Sequence, residues 1–145
     1  MREVARVRVI YGDTDQMGIA YYGNYLRWFE VARNEYLRSA GESYRAFEAR
    51  AGLFLPVVEA NVRYHRPARY DDVLVIEAEI PAAQLRGASA RFEYVISRDD
   101  GERVASGYTV HACMTRDGGR PVRIPPELRA TLLAAEGMDQ PQGGS

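Results

Sequence analysis

Between Asn24 and Ala40 apolar residues recur with the period of a helix, and the stripe they make is wider than a surface helix usually carries. Tyr25, Trp28, Phe29, Ala32 and Tyr36 fall at i, i+3, i+4, i+7 and i+11, with Leu26, Val31 and Leu37 extending the stripe sideways. The polar strip is Arg27, Glu30, Asn34 and Arg38, with Glu30–Arg33 and Glu35–Arg38 spaced for i,i+3 pairs and Gly41 placed as a C′ residue. A helix with four aromatics on one side demands a broad apolar surface to lie against, and the rest of the chain is patterned to supply one.

That surface reads as strands. Residues 3–11 alternate, with Val7 and Val9 opposite Arg6 and Arg8. After the helix, and a shorter one expected over 43–50, four further segments alternate: 57–65, 72–80, 88–97 and 102–114. Their apolar faces are expected to be Val58, Ala60, Val62 and Tyr64; then Leu74, Ile76, Ala78 and Ile80; then Ala88, Ala90, Phe92, Tyr94 and Ile96; and last Val104, Tyr108, Val110, Ala112 and Met114. Turn residues separate them, and Asp99-Asp100-Gly101 predicts a hairpin between the last two. Pro125-Pro126-Glu127 opens a final helix whose Leu128, Leu132 and Leu133 pack back on the body, and the polar, Gly-rich tail 137–145 is expected to be disordered. The order predicts an α+β domain over residues 1–136, a five-stranded antiparallel sheet curled around one long central helix. Such a sheet leaves open edges, which pairing with a second copy would cover.

Composition narrows the chemistry. The 19 positive side chains are all Arg, so there is no lysine for a Schiff base, a pyridoxal phosphate anchor or a P-loop. Cys113 is the one cysteine and His65 and His111 the two histidines, which excludes an intrachain disulfide or a multi-thiolate metal site and leaves no expectation of a metal. A net charge of −1 with interleaved signs gives no reason to expect nucleic acid. No apolar run approaches the roughly 20 residues that span a bilayer, and MREVARVRVI has no apolar h-region, so the expectation is a cytoplasmic protein without membrane insertion.

One string is more specific. Tyr11-Gly12-Asp13-Thr14-Asp15-Gln16-Met17-Gly18-Ile19-Ala20-Tyr21-Tyr22-Gly23-Asn24-Tyr25-Leu26-Arg27-Trp28 runs from a strand end through D-x-D and glycine to an aromatic pair and a helix carrying N-Y-x-x-W. It resembles the hotdog-fold acyl-CoA thioesterases of the 4-hydroxybenzoyl-CoA thioesterase type and their Tol–Pal-associated relatives. Leu55-Pro56-Val57 and Tyr64-His65-Arg66-Pro67-Ala68-Arg69-Tyr70-Asp71-Asp72 resemble the same family, so the likeness covers roughly residues 4–116.

The resemblance implies hydrolysis of a short-chain or aromatic acyl-CoA, with no cofactor beyond the coenzyme A of the substrate, in a homodimer or homotetramer with the site at the subunit interface. It implies Asp15 as catalytic carboxylate, nucleophile or general base, and the backbone N–H of Tyr22 as oxyanion donor. A helix N-terminus suits that task, since its free amides and dipole favour negative charge. Where the Tol–Pal branch commonly has His, this chain has Tyr22. By position Arg86 matches a residue that meets the phosphates of coenzyme A, with Arg66 and Arg69 as further candidates, and the planar guanidinium is suited to phosphate. Plainer roles stand beside these. Asp13 and Asp15 are turn-formers by residue type, and Asp13 keeps that structural role. The aromatic stripe is core, His65 and His111 are structural histidines, Cys113 is a small buried hydrophobe, and Ser89 and Ser106 have no role. Rival functions are an acyl-carrier-protein thioesterase of the same fold and a non-catalytic acyl-CoA-binding module.

Overall fold

The computed structural model describes residues 1–41 and 43–136; the tail expectation over 137–145 lies outside the described residues. The elements run β1 (Arg2–Arg8), α1 (Asn24–Arg38), α2 (Tyr44–Ala51), β2 (Leu53–Phe54), β3 (Val57–Tyr64), β4 (Val73–Glu79), β5 (Leu85–Arg86), β6 (Ser89–Arg98), β7 (Arg103–Ala112), β8 (Met114–Thr115) and α3 (Pro126–Glu136). The sheet order is β1-β4-β6-β7-β3, antiparallel throughout. Two-residue β5 joins β6, which makes the sheet six-stranded rather than five-stranded, and β2 pairs with β8 in a separate ribbon. Strands this short carry no readable alternation, so the sequence does not announce them.

Helix α1 lies against β4, β1, β3 and β6. Tyr25, Trp28, Phe29, Ala32, Tyr36 and Leu37 are buried, as the spacing predicts. Phe29 stacks on Tyr94 with centroids 4.2 Å apart, and Tyr36 meets Phe92 edge-on at 5.7 Å. Fully burying side chains of this size contributes about 1.5–3 kcal/mol each, which is why one helix face sets the interior. Leu26 departs from the pattern: it is exposed, beside Val57 at the sheet edge. Leu128 and Leu132 of α3 are buried, and the Leu132 carbonyl accepts from the Tyr36 hydroxyl at 3.2 Å.

Two strands differ from their predicted faces. In β7 the pairing skips Val104, since Ile96 faces Ala105 and Ser97 faces Arg103. A bulge adds one residue and so reverses the side-chain parity beyond it. Val104 and Ala105 are both buried, and from there Thr109, His111 and Cys113 point inward in place of Tyr108, Val110 and Ala112. Strand β3 is the end of the sheet and is exposed along its length except at half-buried Val62, leaving Val57, Val58 and Tyr64 open.

Close packing of β3 on β7 needs Gly107. A Cβ there would stand 2.0 Å from the Asn61 carbonyl oxygen and 3.1 Å from the Phe29 ring. Gly107→Ala is therefore expected to destabilise the protein by about 1–3 kcal/mol through overpacking, measured as a lower urea midpoint at unchanged m-value. An unchanged midpoint would mean that β3 moves aside freely.

Candidate active site

The loop between β1 and α1 is held by Asp13. Its carboxylate accepts from the Ile10 amide at 3.0 Å and from the Arg27 guanidinium at 2.8 Å, and its carbonyl accepts from the Tyr21 amide and the Asn24 side chain, both at 2.7 Å. The residue is buried, so an unpaired carboxylate here would carry a full desolvation cost. Asp13 thus ties the loop to the first turn of α1, the structural role its residue type suggested.

Asp15 sits in the next turn. Its amide donates to the Ile19 carbonyl at 2.9 Å, its carbonyl accepts from Gly18 at 3.0 Å, and Gly18 takes φ +80° to close the loop. One carboxylate oxygen accepts from the Met17 amide at 2.8 Å. The other, Oδ2, has no hydrogen-bond donor among the described residues, and the side chain is half-buried. The loop is stitched to the segment after β3, with Ala20 donating to the Ala68 carbonyl at 2.8 Å and Ile19 bridging Arg69.

That stitching makes a cavity of about 420 Å³ whose wall includes Asp15, Tyr22, Tyr25, Tyr64, His65 and Arg66. Apolar Met17, Ile19 and Pro67 fill much of the remainder. Helix α1 opens onto this space: no side chain caps it, Gly23 is its N-cap, and the Tyr22 amide donates to no acceptor among the described residues. Tyr25 is buried, and burial raises its hydroxyl above the ordinary phenol value.

The arginines divide. Arg66 lines the cavity but is ion-paired with Glu102. Arg69 is exposed beside it and outside the cavity wall, its amide donating to Asp72 at 2.8 Å. Arg86 is not brought there: it pairs with Ser89 at one end of β6, whereas the loop bearing Asp15 adjoins the start of β4, which faces Arg98 at the other end. Two further groups stand at the cavity that are not among the sequence-predicted site residues. His65, immediately after β3, lines the cavity, and its Nε2 lies 2.8 Å from the Ser106 hydroxyl; residues 41 apart give no local signal of that contact. Tyr64 read as one more apolar position on a strand. Among the described residues no cluster of three or more His, Cys, Asp or Glu side chains comes together to hold a metal, and no helix is long and apolar enough to cross a membrane.

A half-buried carboxylate with a free oxygen and a residue whose backbone amide is unpartnered, just before a helix N-terminus, line one largely apolar cavity, a combination suited to acyl transfer. Comparison with known proteins agrees. Residues 9–132 match the thioesterase-like superfamily model. The acyl-CoA thioesterase YbgC of Haemophilus influenzae is 34% identical over 127 residues, 87% of this chain and 90% of that protein. The crystal structure of a hypothetical protein, TT1821, from Thermus thermophilus aligns with TM-score 0.83 at 34% identity, over 92% of this chain and 99% of that one. A crystal structure of a 4-hydroxybenzoyl-CoA thioesterase mutant complexed with 4-hydroxybenzoyl-CoA aligns with TM-score 0.80 at 27% identity, over 91% of this chain and 99% of that one. The chain therefore belongs to the thioesterase-like superfamily and is a hotdog-fold thioester hydrolase.

Proposed function

We propose that the chain hydrolyses a short-chain or aromatic acyl-CoA to the free acid and coenzyme A, with Asp15 driving the reaction and the Tyr22 amide receiving the oxyanion. The observation that carries this reading is the shared cavity, since Asp15 and Tyr22 line one space and each has a polar group without a partner among the described residues. As general base, Asp15 takes a proton from water while the water oxygen bonds to the thioester carbon; the C–S bond then breaks and the thiolate leaves with the electron pair. As nucleophile, its carboxylate oxygen bonds to that carbon directly, the C–S bond breaks as the thiolate leaves with the electron pair, and water hydrolyses the resulting anhydride to the free acid and the restored carboxylate. A thiolate is a good leaving group, so one carboxylate suffices on either route, and no metal or separate cofactor is invoked. The names of the relatives, YbgC and 4-hydroxybenzoyl-CoA thioesterase, support coenzyme A as the carrier and leave both acyl classes in view.

On this reading the working unit is a homodimer or a homotetramer in the cytoplasm, with the sheet of each copy wrapped on its own α1. Exposed Val57 and Val58 on the β3 edge are an apolar strand that a second copy would cover. Arg86 would reach the phosphates of a substrate bound at this cavity only from another copy, because its own cavity adjoins the far end of β6. Arg66 and Arg69 lie on the near side and are the local candidates for those phosphates.

The test is release of free thiol from acetyl-, long-chain and benzoyl-CoA. Absence of hydrolysis with all three, at undiminished acyl-CoA binding, would replace the enzyme with a binding module. The oxyanion role has its own prediction. Tyr22→Pro deletes an amide that donates to no acceptor among the described residues and is expected to cost about 10²–10³ in kcat, while Tyr22→Phe costs less than about threefold. Equal losses from both would assign the role to the hydroxyl.

A further inference from the structure

Two consecutive peptides open α1, and each has its carbonyl held. The Tyr21 carbonyl accepts from the Asn24 amide at 3.0 Å. The Tyr22 carbonyl accepts from the Tyr25 amide at 3.3 Å, long for such a bond, and from the Tyr64 hydroxyl at 3.2 Å. In a planar trans peptide the carbonyl and the N–H point in opposite directions, so fixing these carbonyls fixes where the amides of Tyr22 and Gly23 aim. The first turn of a helix is where such aim is otherwise loosest, and no side chain caps this one.

Tyr64 reaches this point from 42 residues away, at the end of edge strand β3. Its ring is set edge-on against buried Tyr25, with centroids 5.1 Å apart, which fixes the direction of the hydroxyl. Burial raises that hydroxyl above the usual phenol value, so at neutral pH it is a protonated donor. Donation to a carbonyl also polarises the peptide that carries it, strengthening the N–H on the opposite side, here that of Gly23.

We propose that Tyr64 is a positioning residue for the oxyanion site: by donating to the Tyr22 carbonyl it holds the Tyr22–Gly23 peptide and so aims the Gly23 amide, next to that of Tyr22, at the carbonyl oxygen of the reacting thioester. The role rests on the reading of the Tyr22 amide as an oxyanion donor and adds the Gly23 amide as a second. It also places a determinant of catalysis on the strand whose open edge is the expected contact with a second copy.

The experiment is steady-state thiol release from acetyl-CoA and benzoyl-CoA by wild type, Tyr64→Phe, Tyr64→Leu and Asp15→Asn, with thermal unfolding of each. Tyr64→Phe keeps the ring and loses the hydrogen bond. It is expected to lower kcat and kcat/KM together by about 5–10-fold, with KM within twofold, the pattern of an interaction used in the transition state. Its Tm is expected to stay within about 2 °C of wild type, because the bond is exposed. Tyr64→Leu also removes part of the cavity wall and is expected to raise KM in addition. A Tyr64→Phe enzyme with wild-type kcat overturns the proposal, as does a loss confined to KM or one that tracks a lowered Tm, which would mark Tyr64 as a packing residue. Asp15→Asn separates the two readings: if it keeps wild-type kcat, the assignment of the site fails and the role of Tyr64 fails with it.

Discussion

Asp15→Asn is expected to lower kcat for acyl-CoA hydrolysis by about 10²–10⁴-fold, the usual cost of removing a positioned general base and no less than that of removing a nucleophile. The substitution is a clean one. The Met17 amide donates to one carboxylate oxygen, and the side-chain carbonyl of Asn accepts that bond in the same place. The turn closed by Gly18 and Ile19 is made by the backbone and does not involve the altered atom. The second oxygen, Oδ2, is the one without a donor among the described residues, and the substitution converts it from an acceptor into an NH₂. KM is therefore expected to stay within a few-fold while kcat falls, the signature of lost transition-state stabilisation rather than lost binding. A kcat within a few-fold of wild type would remove Asp15 from the chemistry and leave it as a turn-former.

Much of this site is local in sequence, which is why it is legible there. Asp15, the glycine turn and the start of α1 lie within ten residues, and the helical period of Tyr25, Trp28, Phe29, Ala32 and Tyr36 fixes which side of α1 meets the sheet. What the sequence hides is parity and distance. The Val104 bulge shifts β7 by one residue and puts polar Thr109 and His111 in the interior, and a period-two pattern cannot show where such a shift occurs. Strand β3 alternates like its neighbours, yet it is an edge, and alternation does not distinguish an edge strand from an inner one. His65–Ser106 and Tyr64–Tyr22 join residues about 40 positions apart and exist only once β3 is docked. Arg86 matched the family by position along the chain, and position along the chain did not reveal that β6 separates it from the cavity of its own copy.

The inward turn of β7 carries the second large expectation, a loss of stability in mild acid that is due to His111. The Leu55 carbonyl, 2.9 Å from Nδ1, can only accept, so Nδ1 carries the proton and Nε2 is left to accept from the Thr109 hydroxyl at 2.8 Å. Thr109 in turn receives the Tyr94 hydroxyl at 2.6 Å, and the Tyr94 oxygen accepts from Arg33 at 3.3 Å. Burial pushes Tyr94 up to about 12, which keeps it a donor, and every link of the chain then points from Arg33 toward Nε2. A proton on Nε2 would meet a hydroxyl already aimed at it, in a site 2% exposed and with the positive Arg33 at the far end of the chain. Burial accordingly lowers His111 from 6.5 to about 4, with the Leu55 hydrogen bond opposing and Arg33 adding to the shift. Between those values the unfolded chain binds a proton that the folded chain refuses. The contribution is therefore fully present above about pH 6.5 and is lost as pH falls toward about 4, by about 3 kcal/mol across the whole window. In urea unfolding at pH 7.5 and 5, this residue is expected to account for about 2 kcal/mol of the drop in wild type. His111→Gln is expected to be less stable at both values but to lose about that much less between them, since every other titrating group is common to the two proteins and cancels in the difference. Equal pH slopes for the two proteins would show that the folded state admits the proton, and that the Arg33-to-His111 chain reverses without cost.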